Sequence, residues 1–319
     1  MNHSTKNSVL AGTKKTTRLH TMKKHFVRDY QLYVLCLPAI IYFFVFCYMP
    51  MYGVQIAFKD FTIGKTIAES QWVGFEHFER FLSTYKFWDV LKNTLVVSFY
   101  SLLASFPIPI IMALLLNQTT NEKFKKIVQT VTYAPHFISV VVLCGMITTF
   151  LSPSTGVVNS MIKALGGESV FFMASPEMWK HIYVWSGVWQ GAGWSSIIYI
   201  ASLSSISPDL YEAAEIDGAS RLQKIRYIDI PAIMPTMVIL LILNMGSLMN
   251  VGFQKAYLLQ NSLNISSSEI INTYVYKVGL EGTQYSYSAA VGLFNTVINI
   301  ILLVSANKIS QKLQGTSLW

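Results

Sequence analysis

Six long stretches of this 319-residue chain contain no Asp, Glu, Lys or Arg. They lie between Asp29 and Lys59, Lys92 and Glu122, Lys126 and Lys163, Lys180 and Asp209, Asp229 and Lys255, and Glu281 and Lys308. A helix needs roughly 20 mainly apolar residues to cross a bilayer, and an ionised side chain near its centre costs about 3 kcal/mol. Each stretch can therefore hold one membrane helix. We predict an all-α membrane protein with six transmembrane helices, near residues 32–56, 91–116, 128–151, 181–204, 233–253 and 287–306.

The composition agrees with a membrane protein, and the basic residues predict its orientation. Hydrophobic residues make up 52% of the chain and charged residues 13%, whereas an average soluble domain has about 25% charged residues. Seven Lys or Arg precede Asp29, and further basic residues follow the second and fourth predicted helices, at Lys123, Lys125, Lys126, Arg221, Lys224 and Arg226. Because basic residues are enriched in cytoplasmic loops, both termini are expected in the cytoplasm. The net charge of +8 then needs no nucleic-acid partner.

Residues typical of catalysis or metal binding form no recognisable pattern in this sequence. The six His residues show no H-E-x-x-H or paired metal spacing, and no G-x-S-x-G nucleophile motif occurs. The cysteines, Cys36, Cys47 and Cys144, all fall in predicted membrane helices, so we expect no disulfide framework. A membrane enzyme would need such a constellation, and an ion-coupled secondary transporter would need ionisable residues inside its helices. Both classes are disfavoured, and we expect no enzymatic activity in this chain.

A segment between the fourth and fifth predicted helices carries strong local folding signals. Ser207, Pro208 and Asp209 stand in the order of an N-cap, a proline at the first helical position and an acid in the first turn. This order predicts a short helix that ends near Ile216. Gly218 can then adopt the positive φ that turns a chain at a helix end.

The residues after this glycine predict a second helix. Ser220 and Gln223 have the spacing of a capping box. Pro231, followed by Pro235, is expected to end that helix and to lead into the fifth span. The product is a helix-turn-helix on the cytoplasmic face. From the pattern alone, a docking surface and an ordinary solvated loop are equally good interpretations.

The same segment resembles a family motif. Glu212-Ala213-Ala214, Asp217-Gly218-Ala219, Ile228, Ile230 and Pro231 are similar to the EAA motif of bacterial ABC importer permeases, E-A-A-x-x-D-G-A-x8-I-x-L-P, with Ile230 at the usual leucine. Residues 72–84 and 87–95 resemble the F-V-G-L-x-N-F and F-W-x-x-L-x-N-T stretches of the sugar-importer branch, with His77 at the usual asparagine. The first apolar stretch and the ending GTSLW are similar to the oligosaccharide or polysaccharide subgroup.

The resemblance implies an ABC importer permease of the type I fold, working as one subunit of a complex in the bacterial cytoplasmic membrane. Its partners would be a second, related permease in a heterodimer, two cytoplasmic ABC ATPase subunits, and an extracytoplasmic solute-binding protein that delivers a sugar. The ATPase subunits would use the ATP, so this chain would need no cofactor of its own. The resemblance assigns the coupling to the ATPase subunits to Glu212, Ala213, Ala214, Asp217, Gly218 and Pro231.

Polar and aromatic residues in the fourth and fifth predicted helices are candidates for a sugar path. Sugar hydroxyls removed from water need hydrogen bonds, and sugar rings stack on aromatic faces. The resemblance points to Gly191, Trp194, Ser247 and Asn250, and Asn244 offers a further amide. The alternative for each is a structural role, because small residues and amides also join membrane helices and tryptophans anchor at the interface. An ABC importer of amino acids or phosphate is the main rival function.

Three regions are expected along the chain. A basic cytoplasmic tail would occupy residues 1–28, and the first transmembrane helix with an extracytoplasmic loop would occupy residues 29–90. A five-helix permease core would follow at residues 91–319 and would contain the EAA segment, residues 207–231.

Overall fold

The computed structural model of the chain describes residues 28–314, 317 and 318, and its regular structure is almost entirely helical. The α-helices are α1 Tyr30–Phe43, α2 Met49–Met51, α3 Glu76–Ser83, α4 Phe87–Ser105, α5 Pro107–Asn117, α6 Glu122–Tyr133, α7 Val140–Phe150, α8 Val157–Ala164, α9 Pro176–Leu203, α10 Pro208–Ile216, α11 Arg221–Lys224, α12 Ile230–Gly246, α13 Phe253–Leu259, α14 Ile265–Ser268, α15 Ile271–Tyr276 and α16 Tyr285–Gln314. The predicted all-α class is confirmed. The predicted tail lies outside the described residues, except for its last position.

Short irregular elements connect or interrupt these helices. The π-helical turns are Phe44–Tyr48, Ile225–Asp229 and Lys277–Glu281, and the 3-10 helices are Tyr52–Phe58, Ala134–Phe137 and Phe172–Ala174. Two strands, β1 Lys59–Asp60 and β2 Gln71–Trp72, pair antiparallel with Lys59 opposite Trp72.

The chain divides into two compact units between Gln55 and Ile56. In the described part of the first unit, α1, the π turn Phe44–Tyr48 and α2 contain no buried side chain. Consecutive apolar residues of α1 are exposed, including Leu35 at 78%. A helix that presents apolar side chains all round suits the hydrocarbon interior of a membrane, because its backbone polar groups are satisfied within the helix.

Helix α9 lies at the centre of the second unit. It packs against α4, α5, α6, α12, α13 and α14. Its buried side chains include Trp179 and Tyr199, which belong to two of the apolar clusters of this unit, and another cluster surrounds Phe81. At Gly193 a Cβ atom would lie 2.1 Å from the carbonyl oxygen of Thr132 in α6. Glycine is therefore required where these two helix backbones touch.

Four helical segments of the described residues are long and apolar enough to cross a membrane. They are Tyr30–Phe58, Phe87–Asn117, Arg221–Gly246 and Tyr285–Lys312, and they match the first, second, fifth and sixth predicted helices. The third predicted helix is bent, because Glu122–Phe137 and Val140–Phe150 meet at 98°. Helix α9 coincides with the fourth predicted helix, but its Trp, Ser, Gln and Gly residues make it less apolar than the others. The count of six is therefore not fully confirmed.

The bend in the third helix has a local cause, and the prediction of one continuous helix was wrong. Pro135 lies in a 3-10 turn, and Ile138 after it is extended, with φ −75° and ψ 127°. Ser139 then caps α7, since its Oγ accepts a hydrogen bond from the Val142 amide at 3.3 Å. Gln190 of α9 donates to the carbonyl oxygen of Ile138 at 2.8 Å. The break is thus held by a hydrogen bond from the central helix.

Pro231 does not end the second helix of the predicted helix-turn-helix, which corrects that expectation. Helix α11 continues through the π turn Ile225–Asp229 into α12, giving one helical segment, Arg221–Gly246. A proline lacks the amide hydrogen that would bond back along the helix. The wide π turn directly before Pro231 breaks the regular hydrogen-bond pattern where that hydrogen is missing, so the helix continues.

Candidate coupling elbow and transport cavity

The helix-turn-helix of residues 207–231, called the elbow below, turns at a glycine as predicted. Gly218 has a φ of +75°. The amide of Ala219 donates to the carbonyl oxygen of Ala214 at 2.8 Å, and the amide of Gly218 donates to that of Glu215 at 3.0 Å. These two bonds form a Schellman motif, which satisfies the last carbonyl groups of α10 and requires the left-handed conformation that glycine adopts at least cost.

The two helices of the elbow begin in different ways. Helix α10 starts at Pro208 as predicted, but the side chain of Ser207 makes no capping hydrogen bond. Ser220 and Gln223 form the predicted capping box at the start of α11. Gln223 Oε1 accepts from the Ser220 amide at 2.7 Å, and Ser220 Oγ accepts from the Gln223 amide at 3.4 Å. The second helix is therefore the more firmly capped.

An ion pair joins the two helices across the turn. Lys224 Nζ lies 2.5 Å from Oε1 of Glu215. The hydrogen bond from Lys224 and its charge hold the pKa of Glu215 below its ordinary value. Because the Glu215 side chain is 68% exposed, water and salt screen this pair, and its contribution to stability is small.

A buried carboxylate fastens the elbow to the rest of the second unit. Asp229 is 0% exposed. One of its oxygens accepts from Tyr211 Oη at 2.6 Å and from Asn117 Nδ2 at 3.4 Å, and the other accepts from Gln118 Nε2 at 2.8 Å. These four residues, called the Asp229 clasp below, join α10, the C-terminal end of α5 and the π turn before α12. Burial raises the pKa of the Tyr211 hydroxyl to about 12, and the bond to Asp229 adds to this shift.

The residues assigned to coupling lie on and around this elbow. Glu212 and Ala213 are exposed on α10, and Pro231 is exposed in the first turn of α12. Ala214, Asp217 and Gly218 line a pocket of about 300 Å³, together with Ala219, Gln223, Lys224, Tyr227 and Ile228. The small side chains leave the pocket open, and Asp217 and Lys224 place opposite charges at its edge. Its shape and charges suit a protruding side chain of another protein.

A polar cavity lies where α4, α9 and α12 meet. It has a volume of about 180 Å³ and is lined by Ser98, Ser101, Leu102, Ser105, Tyr183, Asn244, Ser247, Leu248, Asn250, Val251 and Gly252. An adjoining cavity of about 410 Å³ is lined by Ser105, Phe106, Pro109, Trp194, Ser195, Ile197, Ile198, Tyr199, Leu240 and Asn244. Ser105 and Asn244 belong to both. Four of the five predicted path residues therefore line one or other of these adjoining cavities, whereas Gly191 lines neither.

Asn250 is fixed at the polar cavity by two other asparagines. Its Oδ1 accepts from Asn295 Nδ2 at 3.1 Å and from Asn299 Nδ2 at 3.2 Å. Asn299 is held in turn, since its Oδ1 accepts from the Met249 amide at 2.9 Å. Within the described part of the chain, the amide hydrogens of Asn250 have no acceptor. They are available to a ligand oxygen in the cavity.

Helix α4 contributes a row of hydroxyl groups that the sequence analysis missed. Ser98, Ser101 and Ser105 recur at intervals of three and four residues, which places them on one helix face. All three line the polar cavity. Ser98 is 3% exposed, and its Oγ has no hydrogen-bond partner among the described residues. This spacing of hydroxyls in an apolar helix was the signal that could have revealed them.

Trp194 reaches the larger cavity from a fixed position. Its indole stacks on the imidazole of His136, with ring centres 4.5 Å apart and planes 1° apart, and Phe137 meets it edge-on at 5.6 Å. Both partners lie directly before the bend of the third helix. The bend therefore holds the Trp194 ring at the larger cavity. Sugar rings stack on aromatic surfaces of this kind.

A family model described as the binding-protein-dependent transport system inner membrane component matches residues 90–314. The chain is a member of this family. The predicted permease family is thus confirmed, as are a location in the membrane with several crossings and dependence on a binding protein. The permease also shows no cluster of three His, Cys, Asp or Glu residues suited to a metal ion in its described part.

Individual relatives resemble the permease over nearly its whole length. The polygalacturonan/rhamnogalacturonan transport system permease protein YteP of Bacillus subtilis is 42% identical over 94% of this chain and 93% of its own. Protein LplB of the same organism is 41% identical over 92% of each chain. A chain of a bacterial ABC transporter involved in the import of the acidic polysaccharide alginate superposes with a TM-score of 0.85 and 41% identity, over 92% of this chain and 99% of its own. That transporter was also crystallised in complex with a periplasmic protein that holds an alginate pentasaccharide.

Proposed function

We propose that the permease moves an oligosaccharide into the cell through the polar cavity and the larger cavity that adjoins it. One observation carries this proposal: hydroxyl and amide groups from α4, α12 and the chain that follows α12 surround a space that an aromatic ring also reaches. A sugar loses many hydrogen bonds with water when it enters a membrane protein, so its path must return them. The names of the relatives support a sugar, since YteP is named for galacturonans and the solved transporter for alginate.

Two features of the cavity fit a sugar better than an ion or an amino acid. The residues that line both spaces include no Asp, Glu, Lys or Arg, whereas a site for a free amino acid needs charged partners for two charged groups. The amide hydrogens of Asn250, a residue that is exposed at the cavity, lack an acceptor in the described residues, so a sugar hydroxyl could accept from them.

The energy for transport would enter through the elbow. We assign the docking of a cytoplasmic ABC ATPase subunit to Glu212, Ala213 and the pocket beside Gly218, with both termini and the elbow in the cytoplasm. A second permease would complete the pathway, and two ATPase subunits would use the ATP, so this chain binds no cofactor. The Asp229 clasp would carry movement of the elbow to α5 and α12. Because α12 holds Asn244, a movement at the elbow would reach the cavity wall.

The proposal is tested by transport in a defined system. The permease would be purified with its partner permease, ATPase and binding proteins, and reconstituted in liposomes. We expect ATP-dependent uptake of galacturonan or alginate oligosaccharides, and stimulation of ATP hydrolysis by the sugar-loaded binding protein. Trp194→Leu should reduce uptake about tenfold or more, while Trp88→Leu, at a residue that is 71% exposed, should not. Uptake of amino acids or phosphate in place of any sugar would refute the proposal.

A further inference from the structure

A buried lysine lies directly behind the wall of the polar cavity. Lys255 of α13 is 8% exposed. Its Nζ donates to the carbonyl oxygen of Tyr183 at 2.7 Å and lies 4.7 Å from the centre of the Tyr183 ring. Tyr183 and Gly252 both line the polar cavity, and Tyr183 Oη donates to the carbonyl oxygen of Gly252 at 3.4 Å. One residue layer therefore separates the ammonium group from the space that a substrate would occupy.

The space for this ammonium group depends on a glycine of the central helix. A Cβ atom on Gly187 of α9 would lie 3.1 Å from Lys255 Nζ. Such a distance is tighter than ordinary contact, so a side chain there would press on the lysine. Helix α9 thus shapes the site around the ammonium group, because it provides both the space at Gly187 and the carbonyl acceptor of Tyr183.

In the part of the chain that the structure describes, no carboxylate balances the charge of Lys255. Among the residues that the structure describes, no Asp or Glu comes within ion-pair distance of it. By contrast, Lys86 and Lys277 both pair with Glu269, at 3.1 Å and 3.3 Å. Burial lowers the pKa of Lys255 to about 8, so the group is still mainly protonated at neutral pH. A buried ion without a partner costs several kcal/mol, which is unfavourable unless a ligand supplies the opposite charge.

We propose that Lys255 makes the polar cavity selective for oligosaccharides that carry carboxylate groups. This inference rests on the proposed import of sugars and names the chemical class of the sugar. A positive charge behind a low-dielectric wall attracts anions into the cavity without a direct contact. The groups that line the cavity are neutral and hydrogen-bond the sugar hydroxyls. The charge of Lys255 favours sugars that carry carboxylate groups over neutral sugars.

The field of Lys255 can be measured without any substrate. Ser247 is exposed at the cavity, and in a chain whose exposed Cys36 and Cys47 are replaced, Ser247→Cys provides a single accessible thiol. Its rates of reaction would be compared for two reagents of similar size, the anionic sulfonatoethyl and the cationic trimethylammonioethyl methanethiosulfonate, in the reconstituted complex. We expect Lys255→Met to lower the ratio of anionic to cationic rates on the order of a hundredfold, because a unit charge roughly 10 Å away at an effective dielectric constant near 20 changes each rate more than tenfold and the two rates in opposite directions.

Control variants separate charge from structure. Lys255→Arg should keep the wild-type ratio, and Lys163→Met, which removes an exposed charge elsewhere, should also keep it. Lys255→Gln keeps a donor for the Tyr183 carbonyl but no charge, so it should behave as Lys255→Met does. A wild-type ratio in both neutral variants would overturn the proposal. Failure of both reagents to reach Ser247→Cys and a second thiol at Ser101→Cys would overturn it as well.

Transport measures the consequence for selectivity. A galacturonate tetrasaccharide and its methyl ester, in which each charged carboxylate is replaced by a neutral ester, would compete for uptake by the reconstituted complex. We expect Lys255→Met and Lys255→Gln to reduce the preference for the acid about tenfold, with the binding protein unchanged in every sample. An equal loss for both sugars would indicate a structural role only and would reject the inference. If the wild-type complex imports neither these sugars nor any other oligosaccharide, the proposed function fails, whereas the reagent ratio still reports the field of Lys255.

Discussion

The Asp229 clasp makes a quantitative prediction about how the elbow is held. Asp229→Asn keeps the shape of the side chain but turns one acceptor oxygen into a donor. The carboxylate now accepts close hydrogen bonds from Tyr211 and Gln118, at 2.6 Å and 2.8 Å, while the third bond, at 3.4 Å, adds little. Hydrogen bonds to a charged group contribute about 1.5–3 kcal/mol each.

The expected losses follow from these bonds. In Asp229→Asn one close hydrogen bond is lost, and the new amide donor faces a donor of the clasp. We therefore expect the free energy of unfolding to fall by about 2–4 kcal/mol. Asp229→Ala leaves Tyr211 Oη and Gln118 Nε2 without their acceptor, while Asn117 Nδ2 keeps its bond to Tyr211 Oη at 3.2 Å, and should cost about 3–5 kcal/mol. Tyr211→Phe removes one donor and should cost about 1–2 kcal/mol. Tyr85→Phe is the matched control, because Tyr85 lies outside the elbow and is 83% exposed.

Two measurements separate a mechanical role from a merely structural one. Thermal unfolding of the purified complex should rank the variants in the order given. The ratio of sugar taken up to ATP hydrolysed should fall in Asp229→Asn and Tyr211→Phe at temperatures where both remain folded. If both variants are destabilised but keep the wild-type ratio, the clasp only stabilises the fold. Wild-type stability in Asp229→Ala would contradict the energetic reasoning itself.

Three further predictions concern the turn, the cavity and the ion pair. Gly218→Asp should leave the permease in the membrane but abolish uptake and sugar-stimulated ATP hydrolysis, while Gly166→Asp, which meets the same backbone strain at φ +85°, should keep both. Asn250→Ala should raise the sugar concentration needed for half-maximal uptake by about tenfold, since it removes a donor from the cavity and leaves two asparagines without their acceptor. The pKa of Glu215 is lowered by Lys224, so the stabilising pair should persist above the ordinary carboxyl pKa and be lost as the pH falls through the lowered value. Melting curves of wild type and Glu215→Gln should therefore differ slightly at pH 6 and converge once the pH lies below the lowered pKa of Glu215.

The elbow could be predicted from sequence because its signals are local. The proline at the start of α10, the glycine after it and the Ser220–Gln223 box each act within a few residues. Asp229 could not be recognised in the same way. Its donors lie on α5 and α10, so only the folded chain brings them together, and in the sequence it was merely the charged boundary of an apolar stretch. The sequence also did not show that the helix continues through Pro231, because a π turn has no simple sequence signal.

The length of an apolar stretch predicts some of the membrane helices correctly but not all of them. The first, second, fifth and sixth helices were found because each contains a long window of mainly apolar residues. Helix α9 is surrounded by other helices, so it can carry Gln190 and small polar residues that lipid would not tolerate. The third helix breaks at Ile138, and the hydrogen bond that holds the break comes from Gln190 in another helix. Tertiary contacts decided both cases.

The π turn Ile225–Asp229 also restricts how the length of this segment can vary. Each residue advances an α-helix by about 100° around its axis. Ile233 is fully buried. Deleting or inserting one residue between the Schellman turn and Ile233 would rotate Asp229 away from its three donors, or would turn the buried side chains of α12, which include Val238 and Ile242, out of their packed positions. The number of residues between the Schellman turn and Ile233 thus fixes the rotation of one end of the segment relative to the other. This number is constrained as tightly as any side chain in the segment.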